Sequence, residues 1–206
     1  MKKLFILPTL FLLFGCAGQT PTSVPVVNNT LRTEMQPVGS FVYNQNIVAA
    51  LEQLPDNIAG LQGEEIRDFE QRAPGLGFSR AYRNRQEYIL VNVFVFNGGL
   101  SDIQDGIDND RFRTQHGQTV RDMMAHLGTN WTMRPQETVY YLDMPFIRNT
   151  FRHIRNLEQR TEMAMMTAHN GAYVRVRITH RTTRRNSINI IDNFMKELVG
   201  YLKEMQ

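Results

Sequence analysis

The sequence predicts an α+β domain, a largely antiparallel sheet of about six to seven strands packed by two long helices. Three observations carry this. Strand-like runs come in hairpin-sized groups and are not each followed by a helix; only two long segments hold a helical period; and Asn170-Gly171 sits between apolar alternations as the signal for a two-residue turn.

The elements follow in order. Ile47, Leu51 and Leu54 recur at i, i+4 and i+7 before Pro55, which predicts a short amphipathic helix from Tyr43 to Leu54. Glu64 to Gln71, Leu76 to Arg83 and Tyr88 to Phe96 read as strands. In the last, Ile89, Val91, Val93 and Val95 share one face and Tyr88, Leu90, Asn92, Phe94 and Phe96 the other, so a central strand is expected. Phe112, Val120, Met123, Met124 and Leu127 form a helical stripe that stops at Gly128. Strands follow at Glu137 to Leu142, Pro145 to Ile154 and Glu162 to His169. Asn170-Gly171 then turns the chain into Ala172 to His180, with Val174, Val176 and Ile178 inward and Tyr173, Arg175, Arg177 and Thr179 outward. Ile188, Ile191, Met195, Leu198 and Leu202 give a closing helix with Ser187 as N-cap.

The chain of 206 residues divides into residues 1–15, residues 16–40 and a single domain over 41–206. Lys2 and Lys3, the apolar run from Leu4 to Phe14 and the small Gly15 read as an export signal. That run is too short for a permanent span, which needs about 20 residues as a helix. Residues 17–40 are rich in Thr, Pro, Asn, Gln, Ser and Gly without any period, and read as a flexible tether. Loss of Lys2 and Lys3 lowers the formal charge from +3 to +1, so global charge points to no partner.

Leu13-Phe14-Gly15-Cys16 resembles the lipobox of bacterial lipoproteins, with Phe14 where a small residue is usual. The resemblance implies cleavage before Cys16 and transfer of a diacylglycerol to its thiol, followed by an acyl chain. A single cysteine rules out an internal disulfide, and it stands at the one position where lipidation would use it, which favours this over an ordinary signal peptide and a chance cysteine. By the same resemblance, Ala17 and Gly18 lack the aspartate that retains many such proteins at an inner membrane. An outer-membrane address is implied where the organism has one.

Within the domain, Pro55 to Leu61, Gly77 to Tyr82, Val91 to Gly99, the loop Asp102-Ile103-Gln104-Asp105-Gly106 and the late hairpin resemble a group of uncharacterised bacterial exported proteins. Their layout is similar to that of the PsbP and Mog1 folds. The resemblance implies a fold and no catalytic residues.

Candidate sites are few. From Arg148 to Arg185 nine arginines stand against Glu158 and Glu162. Arg148 and Arg152 share strand parity, as do Arg175, Arg177 and Arg181, so neighbouring strands could present a guanidinium patch to phosphate or carboxylate groups. The simpler reading is a charged outer face that keeps an exposed sheet soluble. Asp102, Asp105, Asp108 and Asp110 gather oxygen around Gly106, but Arg113 stands where an EF-hand needs its bidentate acid, so helix capping and dipole compensation explain them better than calcium. The five histidines form no HExxH, and no GxSxG, P-loop or GxGxxG occurs. Met163, Met165 and Met166 read as core filler.

The expectation is therefore a membrane-tethered, non-enzymatic binding or accessory domain of the cell envelope. Its partners would be the membrane, through Cys16, and an anionic envelope component or protein met by the arginine face. No cofactor, metal or nucleic acid is expected. Two alternatives stay open: an envelope hydrolase with a dispersed active site, and a subunit of an envelope assembly.

Overall fold

In a computed structural model, the structure describes residues 51–184 and 186–204. The expected signal segment, Cys16, the tether and the start of the first helix lie outside these residues. Residues 51–53 are helical, and Leu54 and Pro55 follow where the sequence places the stop.

Strands β1 (Asn57–Ile58), β2 (Leu61–Gly63), β3 (Arg67–Asp68), β4 (Phe78–Asn84) and β5 (Ile89–Phe96) precede helix α1 (Asp110–Leu127). Strands β6 (Trp131–Met133), β7 (Glu137–Tyr141), β8 (Met144–Arg155), β9 (Glu158–His169) and β10 (Ala172–Arg181) lead to helix α2 (Ser187–Glu204). All ten strands join one antiparallel sheet in the order β1-β2-β4-β5-β10-β9-β8-β6, with β3 on β4 and β7 on β8. The expected α+β class holds, but the strand count exceeds six to seven. The added strands are two or three residues long, too short for alternation to mark them. The run expected as one strand from Glu64 to Gln71 instead bends between β2 and β3.

Backbone chemistry sets the turns. Asn170 and Gly171, at φ 50 and 75, close the β9–β10 hairpin with the left-handed pair that a two-residue turn demands. Gly77, at φ 74, packs so closely on β5 that a Cβ would stand 1.9 Å from the Val95 carbonyl oxygen. Asn109 caps α1 by accepting the Phe112 N–H at 2.8 Å, and Gly128 ends that helix at φ 74. Ser187, expected as a cap, is instead the first residue of α2, and its buried Oγ makes no hydrogen bond among the described residues.

The two helices cover opposite faces. On one, α2 sets Ile191, Phe194, Met195, Leu198 and Leu202 against Val91, Val93, Val95, Val174, Val176, Ile178 and Met165. Each such large apolar side chain contributes about 1.5–3 kcal/mol on burial. On the other face, Phe112 of α1 packs with Phe96, Met166 and Tyr173, while Met123 packs with Phe151 and Ala164. The entry segment is clipped to β4 by buried Arg80, which donates to the Leu54 carbonyl and pairs with Asp56, and by Tyr82, whose hydroxyl donates to the Pro55 carbonyl at 3.1 Å. Burial pushes the Tyr82 hydroxyl up to about 12.

Candidate anion-binding site

The register decides which arginines can act together. Arg148 pairs with Met165 and Arg152 with Thr161, on the face of Val176 and α2. Arg175, Arg177 and Arg181 pair with Met166, Ala164 and Arg160 on the opposite face. The expected patch of five is thus divided by the sheet. Arg148 is held by Glu137 at 2.9 Å, and Arg152 is exposed.

Nor does the face of Tyr173, Arg175 and Arg177 lie open to water as the alternation predicts, because α1 covers it. Tyr173 is fully buried, and burial raises its hydroxyl above the ordinary value. Arg175 stacks over Phe94 at 4.3 Å and over Phe96 at 5.6 Å. Burial, and then Arg177 beside it, pull its guanidinium below its usual value, with Asp122 opposing. Arg177 donates twice to Glu162 Oε2, at 3.0 and 2.6 Å, and His153 Nε2 stands 3.3 Å from Glu162 Oε1 without hydrogen-bond alignment. This cluster neutralises charge under the sheet's cover; it leaves Arg177 committed.

Beyond the end of α1 the same face opens. There Arg83 pairs with Leu90, Leu90 with Thr179, and Arg181 with Arg160, so three arginines from β4, β9 and β10 share one surface. With Arg85, Tyr88 and Glu64 they line a groove of ≈ 580 Å³. Arg181 lies 3.4 Å over the Tyr88 ring and Arg184 5.6 Å from it. Arg83 donates to Glu64 at 3.0 Å, whereas Arg160 and Arg181 share Glu158 at 3.5 and 2.6 Å. Arg85 is exposed and has no ion pair among the described residues. Four groove arginines therefore meet two carboxylates, Glu64 and Glu158, and Glu64 also faces Arg67 at 3.8 Å.

Two further features mark the groove. The Nε–H groups of Arg160 and Arg181 are buried and have no hydrogen-bond partner among the described residues, a state that costs free energy unless an acceptor arrives. Tyr88 holds φ 55, a left-handed backbone that an aromatic residue rarely adopts, and this sets its ring against the arginines. Stacking desolvates the face of a guanidinium and leaves its edge donors for an anion. His180 borders the groove but belongs by parity to the face of Val176 and Ile178. Its Nδ1–H donates to the Arg181 carbonyl at 3.0 Å, and burial lowers its pKa.

The acidic loop is built differently. Asp102 pairs with Arg111, Asp110 with Arg113 at 3.0 Å, Asp105 with His169 at 3.2 Å, and Asp108 is exposed. Buried Ile103 and Ile107 and the Gly106–Ala168 bridge pin the loop to the sheet. The cap of α1 is Asn109, not an aspartate. Among the described residues no three His, Cys, Asp or Glu groups gather to hold a metal, and no helix is long and apolar enough to cross a membrane.

Of the expected arginines only Arg181 enters the groove. Arg83, Arg85 and Arg160 went unmarked because they become neighbours only through the register of three strands. The available signal was the turn Arg83-Asn84-Arg85, which ends a strand whose partner begins at Tyr88.

No family model matches the chain, and no curated protein matches it. Among solved structures it is similar to cyanobacterial PsbP (CyanoP) from Synechocystis sp. PCC 6803, at 16% identity over 66% of this chain and 89% of that one, with a TM-score of 0.37. It is also similar to the Saccharomyces cerevisiae Ran-binding protein Mog1p, at 9% identity over 72% of this chain and 95% of that one, with a TM-score of 0.35. These likenesses concern the fold alone.

Proposed function

We propose that the chain is an envelope lipoprotein, cut before Cys16 and held to a membrane by lipid on that cysteine, whose domain is a non-enzymatic module that binds an anionic group. The observation that carries the binding reading is the arginine groove, where Arg83, Arg85, Arg160 and Arg181 surround Tyr88 and two buried Nε–H donors lack acceptors. A phosphate or carboxylate entering there meets the guanidinium groups and offsets the excess of positive charge. Guanidinium forks match such oxyanions in geometry as well as charge.

Two measurements test the two halves. The intact mass of membrane-extracted protein is expected to equal residues 16–206 plus a diacylglycerol and an acyl chain, and a Cys16→Ser form is expected without lipid; an unlipidated wild type removes the anchor. Calorimetric titration with inorganic pyrophosphate is expected to give saturable binding that weakens with salt. Arg160→Gln and Arg181→Gln each reduce the affinity about tenfold, as loss of a charged hydrogen bond does. Equal affinity in wild type and both variants overturns the groove.

A further inference from the structure

The end of the sheet that holds the groove also carries apolar side chains that the fold does not need. The β8–β9 turn is Asn156-Leu157, with φ 52 and 64. Glycine adopts the second of these positions without cost, whereas a side chain there meets strain of about 1 kcal/mol or more. The chain places leucine there at 98% exposure, so the strain is offset by no burial. Ile154 on the same hairpin is 62% exposed, and Ile188 at the start of α2 is 54% exposed.

Antiparallel pairing fixes what surrounds this tip. Arg160 follows it on β9 and Arg152 precedes it on β8, while the β4–β5 turn with Arg85 and Tyr88 and the end of β10 with Arg181 lie at the same end of the sheet. Trp131 of β6 pairs with His153 there and lines a second hollow with Arg152 and Ile154. An exposed aliphatic tip beside guanidinium groups has the chemistry of an interfacial anchor: apolar groups enter below the headgroups while arginines stay at phosphate level.

We propose that this end of the domain docks on an anionic phospholipid surface, with Leu157 at the tip inserted and the groove arginines on headgroup phosphates. The inference rests on the anion reading of the groove and adds lipid as the source of the anion. Charge complementarity selects an anionic bilayer, and the lipid proposed on Cys16 would hold the domain beside a membrane.

The test uses the mature chain, residues 16–206, with Cys16→Ser so that no lipid contributes. Vesicles of phosphatidylcholine alone are compared with equal mixtures of phosphatidylcholine and phosphatidylglycerol, by co-sedimentation and by the fluorescence of Trp131, the only tryptophan. Binding is expected to the mixed vesicles and to fall about tenfold in Leu157→Asn, which removes the inserted side chain. Asparagine suits the left-handed turn, so its melting temperature should equal or exceed that of wild type, separating lost docking from lost folding. Arg160→Gln is expected to weaken vesicle binding about fivefold, and salt to weaken it further. Pyrophosphate bound in the groove without vesicle binding overturns the membrane inference and leaves the anion reading intact. Loss of both overturns both, and equal binding to the two vesicle types, or unchanged binding by Leu157→Asn, overturns the docking geometry.

Discussion

The guanidinium of Arg181 lies 3.4 Å over the ring of Tyr88, and the backbone of Tyr88 is left-handed to hold it there. This contact joins the end of β10 to the β4–β5 turn and fixes one wall of the groove. Tyr88→Asn keeps a residue that tolerates the left-handed conformation but removes the stacking surface. Pyrophosphate affinity is expected to fall about three- to tenfold, the value of one cation–π contact, while the melting temperature moves by less than about 3 °C. Calorimetry beside thermal denaturation separates the two effects.

A second prediction concerns acid. His116 of α1 is buried, stacks on Phe112 with planes 8° apart, and shares a 2.7 Å hydrogen bond with Asn149 Oδ1 of β8. The acceptor assigns the proton to Nε2 of the neutral ring. Burial lowers the pKa of His116, and His180 is lowered for the same reason. Below the ordinary histidine value of about 6.5 the unfolded chain binds more protons than the folded one. Stability is therefore full above that pH and declines as the pH falls from it toward the lower folded values. His116→Gln, which can still donate to Asn149, should flatten this decline in urea unfolding followed between pH 7.5 and about 5; an unchanged slope contradicts the assignment.

Glu162 anchors the third. Its carboxylate is buried at 3% exposure, accepts from Arg177 and stands 3.3 Å from His153 Nε2. Glu162→Ala leaves Arg177 without its counter-charge, and because the Arg177 side chain keeps 26% exposure the expected cost is about 2–3 kcal/mol, less than for a fully buried pair. Glu162→Leu with Arg177→Met should recover part of that loss. The midpoints of urea unfolding check both.

Much of this architecture is legible in the sequence because long elements repeat a period. The stripe from Phe112 to Leu127, the alternation of β5 and the Asn170-Gly171 turn all lead to elements within a few residues of those observed. The exposure of β10 was not legible in its own residues. Val-Arg-Val-Arg reads as half-solvated, yet arginine lays an apolar stem and a flat cation on aromatic rings, and here Phe94 and Phe96 receive Arg175. The clue lay on the neighbouring strand, whose two apolar faces both require a cover. The groove was less legible still, since Arg83, Arg160 and Arg181 are brought together by hydrogen-bond register and by no spacing in the chain.

The central claim is that the groove arginines hold an anion, and it is tested most directly by the Nε–Hε resonances of the protein during titration with inorganic pyrophosphate. The account predicts saturable shifts confined to Arg83, Arg85, Arg160 and Arg181, largest at Arg160 and Arg181, whose Nε–H groups are buried without acceptors. Arg148 and Arg177, committed to Glu137 and Glu162, should stay in place. Shifts spread over all the arginines, or none at Arg160 and Arg181, would contradict it.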